Sequence, residues 1–252
     1  MDPTAAPNSP LPGRTQTNMP IAPPDAETLR GHGSPFRGRL IDYATALVQA
    51  PAAIVEDIHR PRRATLLRLT GLVLATMSIT GLVVAAFSGG LQFLIVPAKL
   101  SAGMLLCALL CLPSLYIFSS LSGATQSLRE TAAALLMGVG LTGVLLVGLA
   151  PVSWLFSQTT SSPGVMGTLH IVAMLVSSAF GLGLIRRVLR AMNGGTFSGL
   201  RGWGIMFVLV LLQMTTTLRP LVGPYEGELL GDKKFFIEHW AQVANGDEPR
   251  AQ

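Results

Sequence analysis

From Thr131 to Leu155 the chain runs for twenty-five residues without a single Asp, Glu, Lys or Arg. Similar uncharged, apolar runs occupy 69–87, 100–119, 166–185 and 203–218. A helix needs about 20 mostly apolar residues to cross roughly 30 Å of hydrocarbon. These five runs therefore predict five transmembrane helices, the last being the shortest and most polar. Composition points the same way: 12% of residues are charged and 50% hydrophobic, whereas a soluble domain carries about 25% charged residues. A globule of this length could not cover its surface with so few charges. Disorder over most of the chain is excluded too, since it requires low hydrophobicity and high net charge. Two cysteines exclude a disulfide scaffold. The expected fold is an all-α polytopic membrane helix bundle of five transmembrane helices plus an interfacial amphipathic helix, embedded in the lipid bilayer.

Ahead of the spans the chain divides in two. Residues 1–36 are rich in proline (Pro3, Pro10, Pro12, Pro20, Pro23, Pro24 and Pro35 among them) and lack apolar periodicity, which predicts a disordered arm. They do not read as a signal peptide, because no basic start, apolar run and small-residue cleavage site occur in order. Over 37–63, Leu40, Ile41, Ala44, Leu47, Val48, Ile54, Val55 and Ile58 recur at three- and four-residue spacing, the signature of one apolar helical face. Pro51 should kink this helix or open a second one at its first turn. The segment ends in His59-Arg60-Pro61-Arg62-Arg63, and it suits either the membrane interface or a berth on the protein's own cytoplasmic surface. Arg62 and Arg63 would anchor it at the headgroups.

Lys and Arg set the orientation. Thirteen of the eighteen fall before the first span or in the 120–130 and 186–202 loops. The other five, Lys99, Arg219, Lys233, Lys234 and Arg250, fall on the opposite side. An N-terminus inside and a C-terminus outside follow, with 219–252 forming an extracytoplasmic tail that carries a short amphipathic helix. In that tail, Phe235, Phe236 and Trp240 stand beside two lysines, as in an interfacial aromatic belt. The apolar stretch 91–97, between Gly89-Gly90 and Pro97-Ala98-Lys99, reads as a re-entrant or interfacial turn, and Pro113 as a break near the inner end of the second span.

The spans hold little chemistry. None carries an acidic or basic residue near its middle, which argues against ion-coupled transport. His170 stands alone in the outer part of the fourth span, without a second histidine or carboxylate, so a hydrogen-bonded interfacial role outweighs a ligand role. Cys107 and Cys111, one turn apart on the second span, read as small hydrophobes. Ala134, Gly138 and Thr142 make a small-xxx-small face on the third span, suited to close helix packing within the bundle or, less favoured, to a homo-oligomer contact. Tyr116, Gln213, Thr216 and Arg219 are the polar groups available for a solute contact. No P-loop, GxSxG, HExxH, CxxC or dinucleotide fingerprint occurs, so no cofactor or metal is expected, and nucleic acid is not an expected partner.

Four strings stand out: CLPSLYIFSSLSGA at 111–124, APVSWLFSQTTSSPGVMGTLH at 150–170, LQMTTTLRPLVGP at 212–224 and DKKFFIEHW at 232–240. Through them the chain, over roughly 66–240, resembles a family of uncharacterised bacterial multi-span inner-membrane proteins, some of whose members are labelled actin-binding. An actin-binding element needs an amphipathic helix followed by an extended LKKT-like basic run, and none occurs here. The five-span, N-inside layout is also similar to that of the Yip1-like membrane proteins of vesicle traffic. The expected role is that of a non-enzymatic bacterial inner-membrane protein, an accessory, scaffold or assembly partner of a membrane complex, with a small-solute permease or channel subunit as the alternative. A membrane-protein partner or a second copy of the chain would be its ligand.

Overall fold

The computed structural model describes residues 39–59, 64–88, 92–159, 163–193 and 200–217. These form helices throughout, with no strand among the described residues: α1 (Leu40–Gln49), α2 (Pro51–His59), α3 (Ala64–Ser88), α4 (Gln92–Leu121), α5 (Leu128–Thr159), α6 (Pro163–Asn193) and α7 (Leu200–Thr217). Four of them are long and apolar enough to cross a membrane, over Ala64–Ala86, Phe93–Leu121, Leu128–Thr159 and Val165–Met192. The apolar part of α7 covers only Gly202–Met214, so by length the described residues supply four such helices against the five expected.

Local chemistry sets the helix ends. The Ser127 amide donates to Glu130 Oε2 at 2.7 Å and the Glu130 amide to Ser127 Oγ at 3.3 Å. This reciprocal capping box starts α5. The end of α4 is closed by Ala124 N–H to Ser119 C=O at 3.1 Å and Gly123 N–H to Ser120 C=O at 3.0 Å. Gly123 sits at φ +83°, the left-handed conformation that this closure requires and that glycine adopts freely. Pro51 opens α2 at its first position, where its missing N–H is harmless.

Side-chain contacts fix the packing. Ser78 of α3 meets Ser101 of α4 at 3.0 Å and Gly81 lies on Pro97, while Thr142 of α5 donates to the Ser177 carbonyl of α6 at 3.4 Å and Gly138 lies on Ile185, so each pair runs antiparallel. Leu72, Thr76 and Thr80 of α3 fall beside Gly140, Gly143 and Leu146 of α5 in the same order, which makes those two parallel. Arg68, Arg129, Arg186, Arg187 and Arg190 consequently gather at one end of the bundle, here termed the arginine end. Helix α5 is central: it touches α3, α4, α6 and both short helices. Outward-facing positions are large and apolar, including Leu82, Leu94, Leu109, Phe156, Phe180 and Ile205. A water-facing surface rarely carries so much contiguous apolar area; a lipid-facing one does.

Glycine sets the closest approaches. A methyl placed on Gly138 of α5 would lie 2.8 Å from the Gly181 carbonyl oxygen of α6 and would collide with Ile185. One placed on Gly81 of α3 would lie 2.6 Å from Pro97 Cα on α4. In lipid, helices associate through van der Waals packing rather than water release, and small residues let backbones meet.

Three expectations need correction. The 91–97 stretch is neither re-entrant nor a turn from residue 92 onward, because α4 runs unbroken through Pro97, which seats against Gly81. Pro113 does not end the span either: α4 continues to Leu121. Pro113 withholds its hydrogen bond from the Leu109 carbonyl without ending the helix, and beside it Ser114 Oγ donates to the Cys111 carbonyl at 2.8 Å. Lys99 therefore lies on an apolar membrane-length helix, not in a loop. Its neighbours Pro97 and Ser101 face the second half of α3, so its long stem can reach toward the end opposite the arginines.

The apolar face of the leading segment is also rotated from the expected one. Tyr43, Ala46, Leu47 and Ala50 of α1 are buried, followed by Ile54 and Ile58 of α2, whereas Leu40, Ile41 and Val48 are exposed. Leu47 Cδ1 would stand 3.1 Å from a methyl on Gly140. Leu47 belongs to the expected face and to the observed one, and it is the side chain that meets Gly140.

Candidate functional site

The most chemically endowed interior position lies between α3, α5 and α6, away from the arginine end. A cavity of about 10 Å³ is lined there by Thr80 of α3, Ser153 of α5 and His170 of α6, with Val83, Val84 and other aliphatic side chains completing the wall. Both His170 and Ser153 are 8% exposed. Neither has a hydrogen-bond partner among the described residues. Thr80 donates its hydroxyl proton to the Thr76 carbonyl at 2.9 Å, which leaves its oxygen lone pairs facing the cavity. The fourth apolar run thus turns its one histidine into the bundle.

Two turns along α6 from His170 comes a second polar level. Ser177 and Ser178 are buried, and their hydroxyls lack partners among the described residues. Thr142 Oγ1 donates to the Gly138 carbonyl at 3.0 Å and reaches the Ser177 carbonyl across the interface. Ala134, Gly138 and Thr142 are all buried, and the Gly138–Thr142 part of this face lies directly against Gly181 and Ile185 of α6. That face is occupied within the chain.

A third polar contact joins α4 to α7. The Trp203 ring is 1% exposed, and its Nε1 donates to Ser114 Oγ at 3.1 Å and more distantly to the Cys111 carbonyl at 3.4 Å. Phe207 lies beside it, with ring centroids 5.5 Å apart. An indole N–H finds a partner when buried, and here the partner is the hydroxyl next to the helix proline. Cys107 and Cys111 are free and buried on the same face of α4. They fill space beneath this junction.

The polar residues nominated for a solute contact are not brought together. Tyr116 sits at the arginine end of α4, two residues past Ser114, and is 36% exposed. Gln213 lies ten residues beyond Trp203 on α7, about 15 Å further along the axis. Thr216 belongs to the last turn of α7. Arg219 lies outside the described residues, as do the proposed anchors Arg62, Arg63, Phe235, Phe236 and Trp240. No group of three or more His, Cys, Asp or Glu side chains among the described residues could hold a metal. Sequence reasoning missed the convergence of Thr80, Ser153 and His170. The three come from three helices, and nothing in their spacing along the chain signals it.

The chain defines an all-helical bundle with four membrane-length apolar helices. No family model, curated protein or solved structure matches it.

Proposed function

We propose that this chain is a multi-pass protein of a bacterial inner membrane that serves as an accessory, scaffold or assembly partner of a membrane complex. In this reading α7 is a fifth crossing. Its 18 described residues extend about 27 Å, it packs along α4, and Ile205 and Leu209 face outward as a lipid-facing helix requires. The gathering of arginines at one bundle end supports a cytoplasmic N-terminus by the positive-inside rule, and five crossings then carry the C-terminus outside.

The observation that carries the scaffold reading is the α1–α2 pair. Its Tyr43, Leu47, Ile54 and Ile58 side chains are sealed against the bundle at the arginine end, while Ile41 and Val48, seven residues apart, form an outward apolar stripe on α1. A helix held rigidly by one face and apolar on the other is built to present that face. Photocrosslinking tests this. A benzophenone amino acid at Ile41 or Val48 should give a discrete protein adduct in native membranes, lost when the other position is changed to Asp. Adducts with lipid alone would overturn the reading. Thiol labelling of Thr160→Cys, Gly195→Cys and Gly231→Cys, with both native cysteines replaced by Ser, tests the topology: 195 should be inaccessible from outside, and 160 and 231 accessible. Label reaching 195 from outside would contradict the orientation, and 231 protected alongside 195 would contradict the fifth crossing.

A further inference from the structure

We infer that the cavity between α3, α5 and α6 binds one ordered water, which joins the three helices through Thr80, Ser153 and His170. Its volume of about 10 Å³ is the room a single water needs, and a buried water requires two to four polar partners. One water can bond to a polar group from each of the three helices. A neutral imidazole offers one N–H and one bare nitrogen, and a serine hydroxyl offers a proton and two lone pairs. Thr80 Oγ1 has committed its proton to Thr76 and can only accept. A water donating to Thr80 Oγ1 and to the bare nitrogen of His170, and accepting from the Ser153 hydroxyl, gives each of the three groups one hydrogen bond.

The argument does not rest on the cavity alone. His170 and Ser153 are more than nine-tenths buried, both line the cavity, and neither has another partner among the described residues. Leaving such groups unbonded in an apolar interior carries the full desolvation penalty. A fully apolar cavity of this size would stay dry; this one has a polar group on each of three sides. The site lies apart from the α1 surface in the proposed function and stands or falls independently of it.

Solid-state NMR on protein with ¹⁵N-labelled histidine, in lipid bilayers, tests the site. The His170 ring signal is assigned by its loss in His170→Gln, since the chain has four histidines. Polarisation should pass from water protons to the His170 ring, and it should fall several-fold in Ser153→Ala and in Thr80→Val while the remaining signals stay in place. Absence of transfer in the unsubstituted protein would overturn the site. So would transfer that is undiminished in both variants, because the water would then not be held by these groups. Should Thr80→Val disturb the fold, the smaller Ser153→Ala change decides alone.

Discussion

Helices α3, α5 and α6 meet twice, in opposite ways. Toward the arginine end, Gly138 lies on Gly181 and Ile185, and Gly143 lies on Thr76, whose Cβ would stand 3.0 Å from an added methyl. There is no room for a methyl group. Further along the same helices, four residues past Thr76 on α3, ten past Gly143 on α5 and eleven before Gly181 on α6, Thr80, Ser153 and His170 enclose a small polar cavity. One level is held by backbone proximity, the other by side-chain polarity. In lipid both are workable, because apolar burial alone does not drive helices together. The contrast implies that size should be punished at the first level and loss of polarity felt at the second.

The largest effect is expected from enlarging the first level. Gly138→Leu or Gly181→Leu should destabilise the bundle by at least about 3 kcal/mol, the upper end of ordinary overpacking, because backbone obstructs the new side chain. Unfolding in a mild detergent titrated with a denaturing one would register it. Next, Leu47→Ala should cost about 2–5 kcal/mol, the usual range for a leucine removed from a closed core, whereas Val48→Ala, on the exposed stripe, should change stability little. Limited proteolysis between α1 and α3 would separate the two. Trp203→Phe keeps the ring but removes the N–H to Ser114, and about 1 kcal/mol should be lost in the same detergent titration. Smallest of all, Gly148→Ala should fall within about 0.5 kcal/mol of the parent protein, since nothing lies within 4 Å of a methyl there. Equal effects at Gly138 and Gly148 would dissolve the distinction between the two levels.

Much of the scaffold was legible in the sequence. Uncharged runs of about twenty residues announce membrane-length helices by length and polarity alone. Prolines were harder to place. Pro97 and Pro113 look like breaks in one dimension, yet α4 runs through both, and the glycine on which Pro97 seats belongs to another helix and appears only in three dimensions. The buried face of α1 was misjudged for a related reason. Periodicity ranks Ile41 and Val48 above Tyr43 and Ala46 by hydrophobicity, but which side of α1 meets the bundle follows from contacts with distant residues such as Gly140. The cavity was least legible: His170 has no companion nearby in sequence, and its neighbours Thr80 and Ser153 are ninety and seventeen residues away.

The central claim is that the leading helix docks on the bundle through Leu47 and turns Val48 outward. Disulfide trapping in native membranes tests it most directly, with Cys107 and Cys111 replaced by Ser. Leu47→Cys paired with Gly140→Cys should crosslink under mild oxidation, because the shorter side chain at 47 leaves room for the one added at 140, and Val48→Cys paired with Gly140→Cys should not. Crosslinking from 48 in place of 47, or from neither, would contradict the docked arrangement.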